Sequence, residues 1–170
     1  PPPPPPLFHP ADGKRDHRVS RGHGDVYKRL VRGLWFKMSF FEGSARVPLM
    51  ISTSKMLADT INIPVSTIDL CPTICELAGI TMSEVTPWIT GESLCGIMQG
   101  QKRQNPVLME YAAEASHAPM VAIRKDQWKY TYCELDPEQL FDLGNDPNEL
   151  NNLANEIDYK NILSTFRDIR

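Results

Sequence analysis

Lys37 is the residue whose neighbours best suit it to chemistry. Trp35 and Phe36 precede it, and Phe40 and Phe41 follow it. A lysine ammonium is a compact positive charge, and surroundings that exclude water strengthen its attraction for a negatively charged oxygen. Such a lysine could stabilise the charge that develops on oxygen during ester hydrolysis. A surface lysine whose stem packs beside aromatic rings gives the same pattern, and on spacing alone that is the commoner case.

His23 and the cysteines are the other residues that could hold a metal. No two of the four cysteines have the two-residue spacing of a zinc knuckle or a thioredoxin-like site. We interpret Cys71 and Cys75, four positions apart, as small buried apolar residues on one helix face. Nothing about the cysteines requires an oxidising compartment. A lone histidine such as His23 is more often a surface or hydrogen-bonding residue than a ligand.

The composition is that of a globular chain of one ordinary domain. Of 170 residues, 41% are hydrophobic and 23% are charged, which excludes a fibrous or wholly disordered protein. The net charge of −3 argues against nucleic-acid binding, which calls for a clustered basic face. No apolar run is long enough to span a membrane, and the first residues do not resemble a signal peptide. We therefore expect a soluble cytoplasmic protein with neither a nucleic-acid nor a membrane partner.

Two regions differ in composition. Residues 1–32 begin with six prolines and show no helical or strand periodicity, so we expect them to be a disordered or aberrant N-terminal segment. Residues 33–170 mix strand and helix patterns. The predicted strands are 46–51, 107–111, 121–124, 128–132 and 139–143.

Helices should pack against these strands. The first is predicted to begin at Ser66 or Thr67 and to end at Gly79, with apolar Ile68, Leu70, Ile74, Leu77 and Ala78. A short helix is expected around 92–98. A terminal helix should begin near Asn155 or Glu156 and face inward through Ile157, Ile162, Leu163 and Phe166. The fold class is α/β, of α+β type in this portion, with a small, mostly antiparallel sheet.

Three blocks in order resemble the sulfatases of the alkaline-phosphatase-like superfamily, and choline sulfatases among them. These blocks are Gly33–Leu49, Ser66–Ile80 and Gln139–Ala154. The resemblance covers about residue 33 to residue 170, and implies that the chain is the C-terminal part of a sulfatase. It makes Lys37 a catalytic residue that contacts the sulfate group.

The resemblance also implies a metal site. The family carries Asp-His-Gly or Asp-Asn-Gly ahead of the lysine, where the carboxylate and its neighbour bind a divalent cation, usually calcium. The matching triplet is Gly22-His23-Gly24, which keeps His23 as a metal ligand and replaces the carboxylate by Gly22. Calcium prefers oxygen ligands, often several carboxylates. We therefore expect calcium in a complete enzyme of this family, with binding by this chain weakened.

The family nucleophile is a formylglycine made from Cys or Ser in a Cys/Ser-x-Pro-x-Arg context, and none of the four cysteines lies in one. We expect the chain to be inactive alone. Glu110 and Glu114 resemble the substrate-binding acidic residues of choline sulfatases, which approach a quaternary ammonium. The resemblance implies that the complete enzyme acts on choline-O-sulfate. It also implies that the complete enzyme could be a homo-oligomer. The alternatives are a non-catalytic remnant or interaction module from a truncated gene, and another esterase of the superfamily.

Overall fold

The structure, a computed structural model, describes residues 39–53, 59–81, 88–112 and 118–170. Residues 39–48 belong to one compact unit of the chain, and the residues from Leu49 onward belong to a second. The segment 1–32, for which we predicted disorder, lies outside the described residues.

The first unit contains a short helix, α1, at Glu42–Ala45. The carbonyl of Phe41 accepts hydrogen bonds from the backbone N–H groups of Ser44 and Ala45, at 2.7 and 2.9 Å. Glu42 places a carboxylate in the first turn, where it interacts favourably with the positive end of the helix dipole. The aromatic residues Phe40 and Phe41 are half-buried just before this turn.

The strand predicted at 46–51 is wrong. These residues form neither helix nor strand, and the sheet of the described chain consists of four strands that pair with one another. A strand is defined by a ladder of hydrogen bonds to a neighbour, and an apolar run does not supply that neighbour. The side chains of Val47 and Met50 are correspondingly exposed, at 57% and 93%.

The helix predicted to begin at Ser66 or Thr67 and to end at Gly79 is confirmed. A 3-10 turn at Thr67–Asp69 leads into α2 at Leu70–Leu77. Ser66 and Asp69 form a capping box, in which the Ser66 N–H donates to the Asp69 carboxylate at 2.7 Å. Gly79 ends the helix with φ +73°, a conformation that glycine adopts without strain.

The buried face of α2 differs from the prediction. Pro72, Thr73 and Cys75 are buried, whereas Ile68, Ile74 and Leu77 are about half exposed. Cys71, which we expected to be buried with Cys75, is exposed. Hydrogen bonds explain this rotation, because Asp69 and Thr73 accept backbone N–H groups of Glu92 and Leu94. These two polar residues therefore turn inward, and the apolar stripe turns outward.

The predicted short helix is α3, at Leu94–Met98. Ser93 caps it by accepting a hydrogen bond from the Cys95 N–H at 3.3 Å. Leu94, Cys95 and Ile97 are buried. None of the helices in the described ranges is long and apolar enough to cross a membrane.

The sheet is a four-stranded antiparallel meander in the order β1-β2-β3-β4. Its strands are β1 Val107–Tyr111, β2 Met120–Lys125, β3 Trp128–Cys133 and β4 Asp136–Asp142. β2 and β3 join through a tight turn in which Asp126 has φ +51°, a conformation that Asp tolerates better than most residues. The structure confirms the small antiparallel sheet and the strands at 107–111, 121–124, 128–132 and 139–143.

One face of the sheet carries the main core. Ile123, Tyr130 and Leu140 lie side by side on β2, β3 and β4, and they pack with Leu163 and Phe166. These last two residues come from α4, at Lys160–Ile169, which follows a 3-10 turn at Ile157–Tyr159. The terminal helix is confirmed. Ile157 is 73% exposed, so its predicted inward position is wrong, because it belongs to the turn and not to the packed helix.

Candidate functional site

Glu110 is the one predicted site residue that lies within the described chain. It occupies the next-to-last position of β1, an edge strand, and lies opposite Val121 of β2. Its side chain is exposed. Val121 in turn lies opposite Tyr132 of β3, so a single row crosses the sheet from an exposed carboxylate to an aromatic ring.

Tyr111 cannot share a ligand with Glu110 while both stay in the strand. Successive residues of a strand point to opposite faces of a sheet, and Tyr111 is half-buried where Glu110 is exposed. The side chain on the same face of β1 as Glu110 is Leu108, which is 53% exposed. A cation at Glu110 would therefore meet a carboxylate with an aliphatic neighbour.

The other three predicted site residues, Lys37, His23 and Glu114, lie outside the described residues. Of the lysine's aromatic neighbours, only Phe40 and Phe41 are described. The roles of Lys37, His23 and Glu114 stay predictions.

A buried carboxylate that the sequence did not single out anchors the start of α2. Asp69 is fully buried, and Arg103 binds it through both terminal nitrogens, at 2.6 and 3.2 Å. Burial alone would raise the pKa of Asp69, but the hydrogen bond from Arg103 and those from the N–H groups of Ser66 and Glu92 outweigh it and lower this pKa. The Asp69–Arg103 pair is part of the scaffold, because the hydrogen-bonding groups of both side chains are satisfied by other groups of the protein.

A second buried pair lies on the far face of the sheet from the main core. Lys129 of β3 and Glu149, in the loop after β4, are both buried. Glu149 has φ +56°, so the chain holds a strained conformation to place this carboxylate. The stretch from Asp146 to Glu149 forms a turn, closed by a hydrogen bond from the Glu149 N–H to the Asp146 carbonyl at 3.0 Å, and the Glu149 side chain is buried.

Other polar residues of the block Gln139–Ala154 organise turns. Asp142 accepts hydrogen bonds from the Gly144 N–H at 3.0 Å and the Asn145 side chain at 2.8 Å. Asp146 accepts the Asn151 N–H at 2.8 Å. The Asn152 side chain then bridges two parts of the backbone, accepting from Leu140 and donating to Glu138.

A cluster of charged groups fastens α4 to the sheet. Arg167 of α4 forms a bidentate ion pair with Glu138 of β4, and Tyr130 donates to the same carboxylate at 2.5 Å. Hydrogen bonding from Arg167 lowers the pKa of Glu138 despite its partial burial. Arg170 stacks over the ring of Tyr132, with its guanidinium carbon 3.8 Å from the ring centre.

The described residues do not by themselves form a metal centre. Among residues 39–53, 59–81, 88–112 and 118–170, no group of three or more His, Cys, Asp or Glu side chains could hold a metal ion. Calcium prefers several oxygen ligands.

Most of the chain matches a known protein family. Residues 32–169 match the model of the family described as N-sulphoglucosamine sulphohydrolase, C-terminal. The chain is 55% identical over 152 residues to a choline-sulfatase of Rhizobium meliloti, which covers 87% of this chain and 29% of that protein. It is 31% identical over 167 residues to a Delta 4,5-hexuronate-2-O-sulfatase of Bacteroides thetaiotaomicron, covering 92% of this chain and 31% of the other.

Part of the chain also superposes on solved structures. A putative sulfatase from Bacteroides thetaiotaomicron superposes with a TM-score of 0.51 and 36% identity, over 59% of this chain and 22% of the other. This likeness confirms the predicted fold class. The chain spans less than a third of the length of these relatives.

Proposed function

Because the chain belongs to the sulfatase family, we propose that it is the C-terminal portion of a sulfuric ester hydrolase that converts choline-O-sulfate and water to choline and sulfate. The observation that carries this proposal is the 55% identity to a choline-sulfatase over 87% of the chain. The more distant relatives act on other sulfate esters according to their names, including a hexuronate 2-O-sulfate. The substrate of this chain is therefore the finer part of the proposal.

In the complete enzyme, Lys37 contacts the sulfate group. Sulfate-ester hydrolysis places negative charge on the sulfate oxygens and the leaving alcohol, and a fixed ammonium in a site that excludes water stabilises that charge. The half-buried Phe40 and Phe41 support such surroundings just after this lysine. The proposed role of Lys37 rests on the sequence block that contains it.

Glu110 contacts the trimethylammonium head of the substrate, which cannot donate a hydrogen bond. Two unit charges about 4 Å apart attract by about 1 kcal/mol in water and by about 4 kcal/mol at an effective dielectric constant of about 20. Glu110 is exposed in the described chain, so its attraction grows when a ligand and the rest of the enzyme enclose it. Glu114, a few residues further along, is the second proposed contact.

We expect the chain alone to be inactive and to bind calcium weakly. Its sequence contains no Cys/Ser-x-Pro-x-Arg motif, and Gly22 stands where the family has a carboxylate. Purified 1–170 should release no sulfate from choline-O-sulfate with calcium present, and calorimetric titration with calcium should give no saturable heat. Measurable turnover by the chain would contradict this expectation.

A chimera tests the proposed activity. Residues 33–170 replace the matching region of the Rhizobium meliloti choline-sulfatase, and sulfate release is measured from choline-O-sulfate, an aryl sulfate, a hexuronate 2-O-sulfate and a phosphonate monoester. We expect choline-O-sulfate to have the highest kcat/KM. If another ester had the highest kcat/KM, the proposed choline-O-sulfate substrate would be wrong, whereas the proposed ester-hydrolase activity would still hold.

The same chimera tests the alternative that the chain is a non-catalytic remnant. That alternative is favoured by Gly22, which stands where the family has a carboxylate. A chimera that folds, as judged by circular dichroism and a cooperative thermal transition, but hydrolyses none of the esters would support the remnant.

A charge-neutral variant tests Glu110 in the active chimera. Glu110→Gln removes the charge and keeps the shape, so KM for choline-O-sulfate should rise by about 10-fold, equivalent to about 1.4 kcal/mol, with KM for an aryl sulfate that carries no cationic group unchanged. Glu134→Gln, an exposed carboxylate after β3, is the matched control. An equal change in KM for both substrates would show that Glu110 does not bind the cationic head.

A further inference from the structure

One side of α2 presents uncharged, mostly apolar residues to the outside. Cys71, Ile74, Leu77 and Ala78 lie three or four positions apart, so they are neighbours along the helix surface, and all four are exposed. Ile74 and Leu77 are 64% and 50% exposed. Ile68, in the turn before α2, is 49% exposed and extends this side by three positions. We call these five residues the α2 face.

Hydrogen bonds on the opposite side of the helix hold the α2 face outward. The buried carboxylate of Asp69 accepts the Glu92 N–H at 2.8 Å. The buried hydroxyl of Thr73 accepts the Leu94 N–H at 2.9 Å and donates to the Asp69 carbonyl at 2.6 Å. Turning α2 to bury Ile74 would leave these polar groups without partners, which is unfavourable. The exposure of the α2 face is therefore set by the scaffold.

An open depression of about 340 Å³ lies at the C-terminal end of α2. The residues that line it are Pro72, Glu76, Gly79, Ile80, Thr81 and Ser93. Ile80 is 46% exposed, so the depression adds apolar surface beside the helix, and Glu76 and the hydroxyl residues add polar groups. An apolar patch with polar residues around it is typical of a surface that binds another protein surface.

The exposed apolar residues of the second unit are concentrated in its first part. Among the described residues from Leu49 onward, twelve large apolar side chains are exposed, and eight of them lie between Leu49 and Trp88. The sheet and α4 differ, because Leu163 and Phe166 of α4 are buried against the strands. The sheet and its helix therefore provide their own core, whereas the region around α2 has apolar surface left over.

The relatives indicate what covers this surface. The chain spans less than a third of their length, and the family model that it matches describes a C-terminal region. In a protein of this family, a longer N-terminal portion precedes that region. Consecutive elements of a chain usually lie next to each other, and the apolar excess lies in the part of the unit that is nearest to this N-terminal portion in sequence.

We infer that the α2 face is the surface through which this C-terminal portion docks on the N-terminal portion of the same sulfatase. The partner surface is apolar where it meets Ile74 and Leu77, because burying an unpaired charge there would be unfavourable. The inference rests on the part of the proposed function that makes this chain the C-terminal portion of a sulfatase. It is independent of the choline-O-sulfate substrate.

Thiol labelling tests this docking without any measurement of activity. Cys71 lies within the α2 face and is exposed, whereas the other three cysteines are buried. The full chain 1–170 and the chimera with the Rhizobium meliloti choline-sulfatase are treated with a maleimide, and modification of the peptide that contains Cys71 is followed by mass spectrometry. Labelling of Cys71 should be more than about 10-fold slower in the chimera, because a covered thiol reacts only when the interface opens.

Two results of the labelling would overturn the inference. The first is an equal rate for Cys71 in the chain and in a folded chimera. The second is protection of Cys71 in the chain alone that increases with protein concentration, which would assign the α2 face to a second copy. Co-expression of chain 1–170 with the N-terminal portion of the Rhizobium meliloti enzyme as a separate polypeptide gives the same comparison without a chimera.

A charged substitution then tests the face itself. Ile74→Asp should restore fast labelling of Cys71 in the chimera and should shift the Tm of chain 1–170 by less than about 2 °C, because Ile74 is exposed there. Leu135→Asp, in the turn between β3 and β4, is the matched control, since Leu135 is 66% exposed. It should leave Cys71 protected. Full protection of Cys71 in the Ile74→Asp chimera would show that the N-terminal portion does not cover the α2 face.

Discussion

Lys129 and Glu149 form an ion pair inside the protein, with 2.7 Å between Nζ and Oε1 and with 1% and 3% of the two side chains exposed. It joins the middle of β3 to the loop after β4. Burying two charges costs several kcal/mol each, and their mutual attraction offsets part of that cost. Such a pair adds little net stability, but it determines which residues can face each other.

Replacing one partner of this pair should lower the free energy of unfolding far more than replacing both. Lys129→Met or Glu149→Gln alone should destabilise the fold by about 3–5 kcal/mol, because an uncompensated charge stays buried. The double variant should recover much of that loss. The measurement is urea unfolding of the two single variants and the double variant. Lys125→Met, at an exposed position of β2, should change stability by less than about 0.5 kcal/mol.

Acid should weaken the link between Asp69 and Arg103. The folded pKa of Asp69 lies below its ordinary value of 3.8, so its contribution is complete above that value and is lost as the pH falls through the folded pKa. Asp69→Asn should be less stable than the parent at pH 7, and the difference should shrink toward pH 3. Asp168→Asn, exposed on α4, should match the parent at pH 7. A gap that stays constant with pH would show that Asp69 acts by packing alone.

Tyr130 should titrate apart from ordinary tyrosines. Burial and the adjacent Glu138 carboxylate raise the pKa of Tyr130 to about 12. Because the unfolded phenol ionises near pH 10, its contribution to stability is complete below that pH and falls as the pH rises toward 12. Ultraviolet titration of the folded protein should show a late-ionising phenol that Tyr130→Phe removes. If the late step survives that change, it belongs to another tyrosine.

Gly91 should not tolerate a side chain. A Cβ atom at Gly91 would lie 2.1 Å from the carbonyl oxygen of Ile68 and 3.0 Å from the backbone nitrogen of Asp69, and backbone atoms cannot move aside as a flexible side chain can. Gly91→Ala should cost about 1–3 kcal/mol, as overpacking does. Gly43→Ala is the contrast, because α1 offers open space there, and the change should stabilise by about 0.4–1 kcal/mol. Thermal unfolding of the two variants gives the comparison.

Elements whose signals are local could be predicted from the sequence. The strand at Val107–Tyr111 and the helix stop at Gly79 each depend on residues within a few positions of one another. The predicted strand at 46–51 failed because a strand also needs a partner that no local pattern reveals. Ile74 and Cys71 were assigned to a buried face for the same reason, since distant backbone donors decide how α2 is rotated.

The charged pairs of the interior could not be predicted at all. Lys129 and Glu149 lie twenty positions apart, as the sequence numbering shows, and Asp69 and Arg103 lie still further apart. Each of these residues belongs to a type that is mostly exposed, so composition argues for the surface. Of the candidate site, the sequence identified Glu110 as a carboxylate at the end of a strand, and the structure places it there.

The order of the strands has a consequence for how the chain folds. Each strand of the meander pairs with the strand before it in sequence, so every pairing closes only a short loop and costs little chain entropy. Proteins rich in such local contacts fold quickly. We therefore expect the pairings from β1 to β4 to form early in folding, because each joins strands that are neighbours in the sequence.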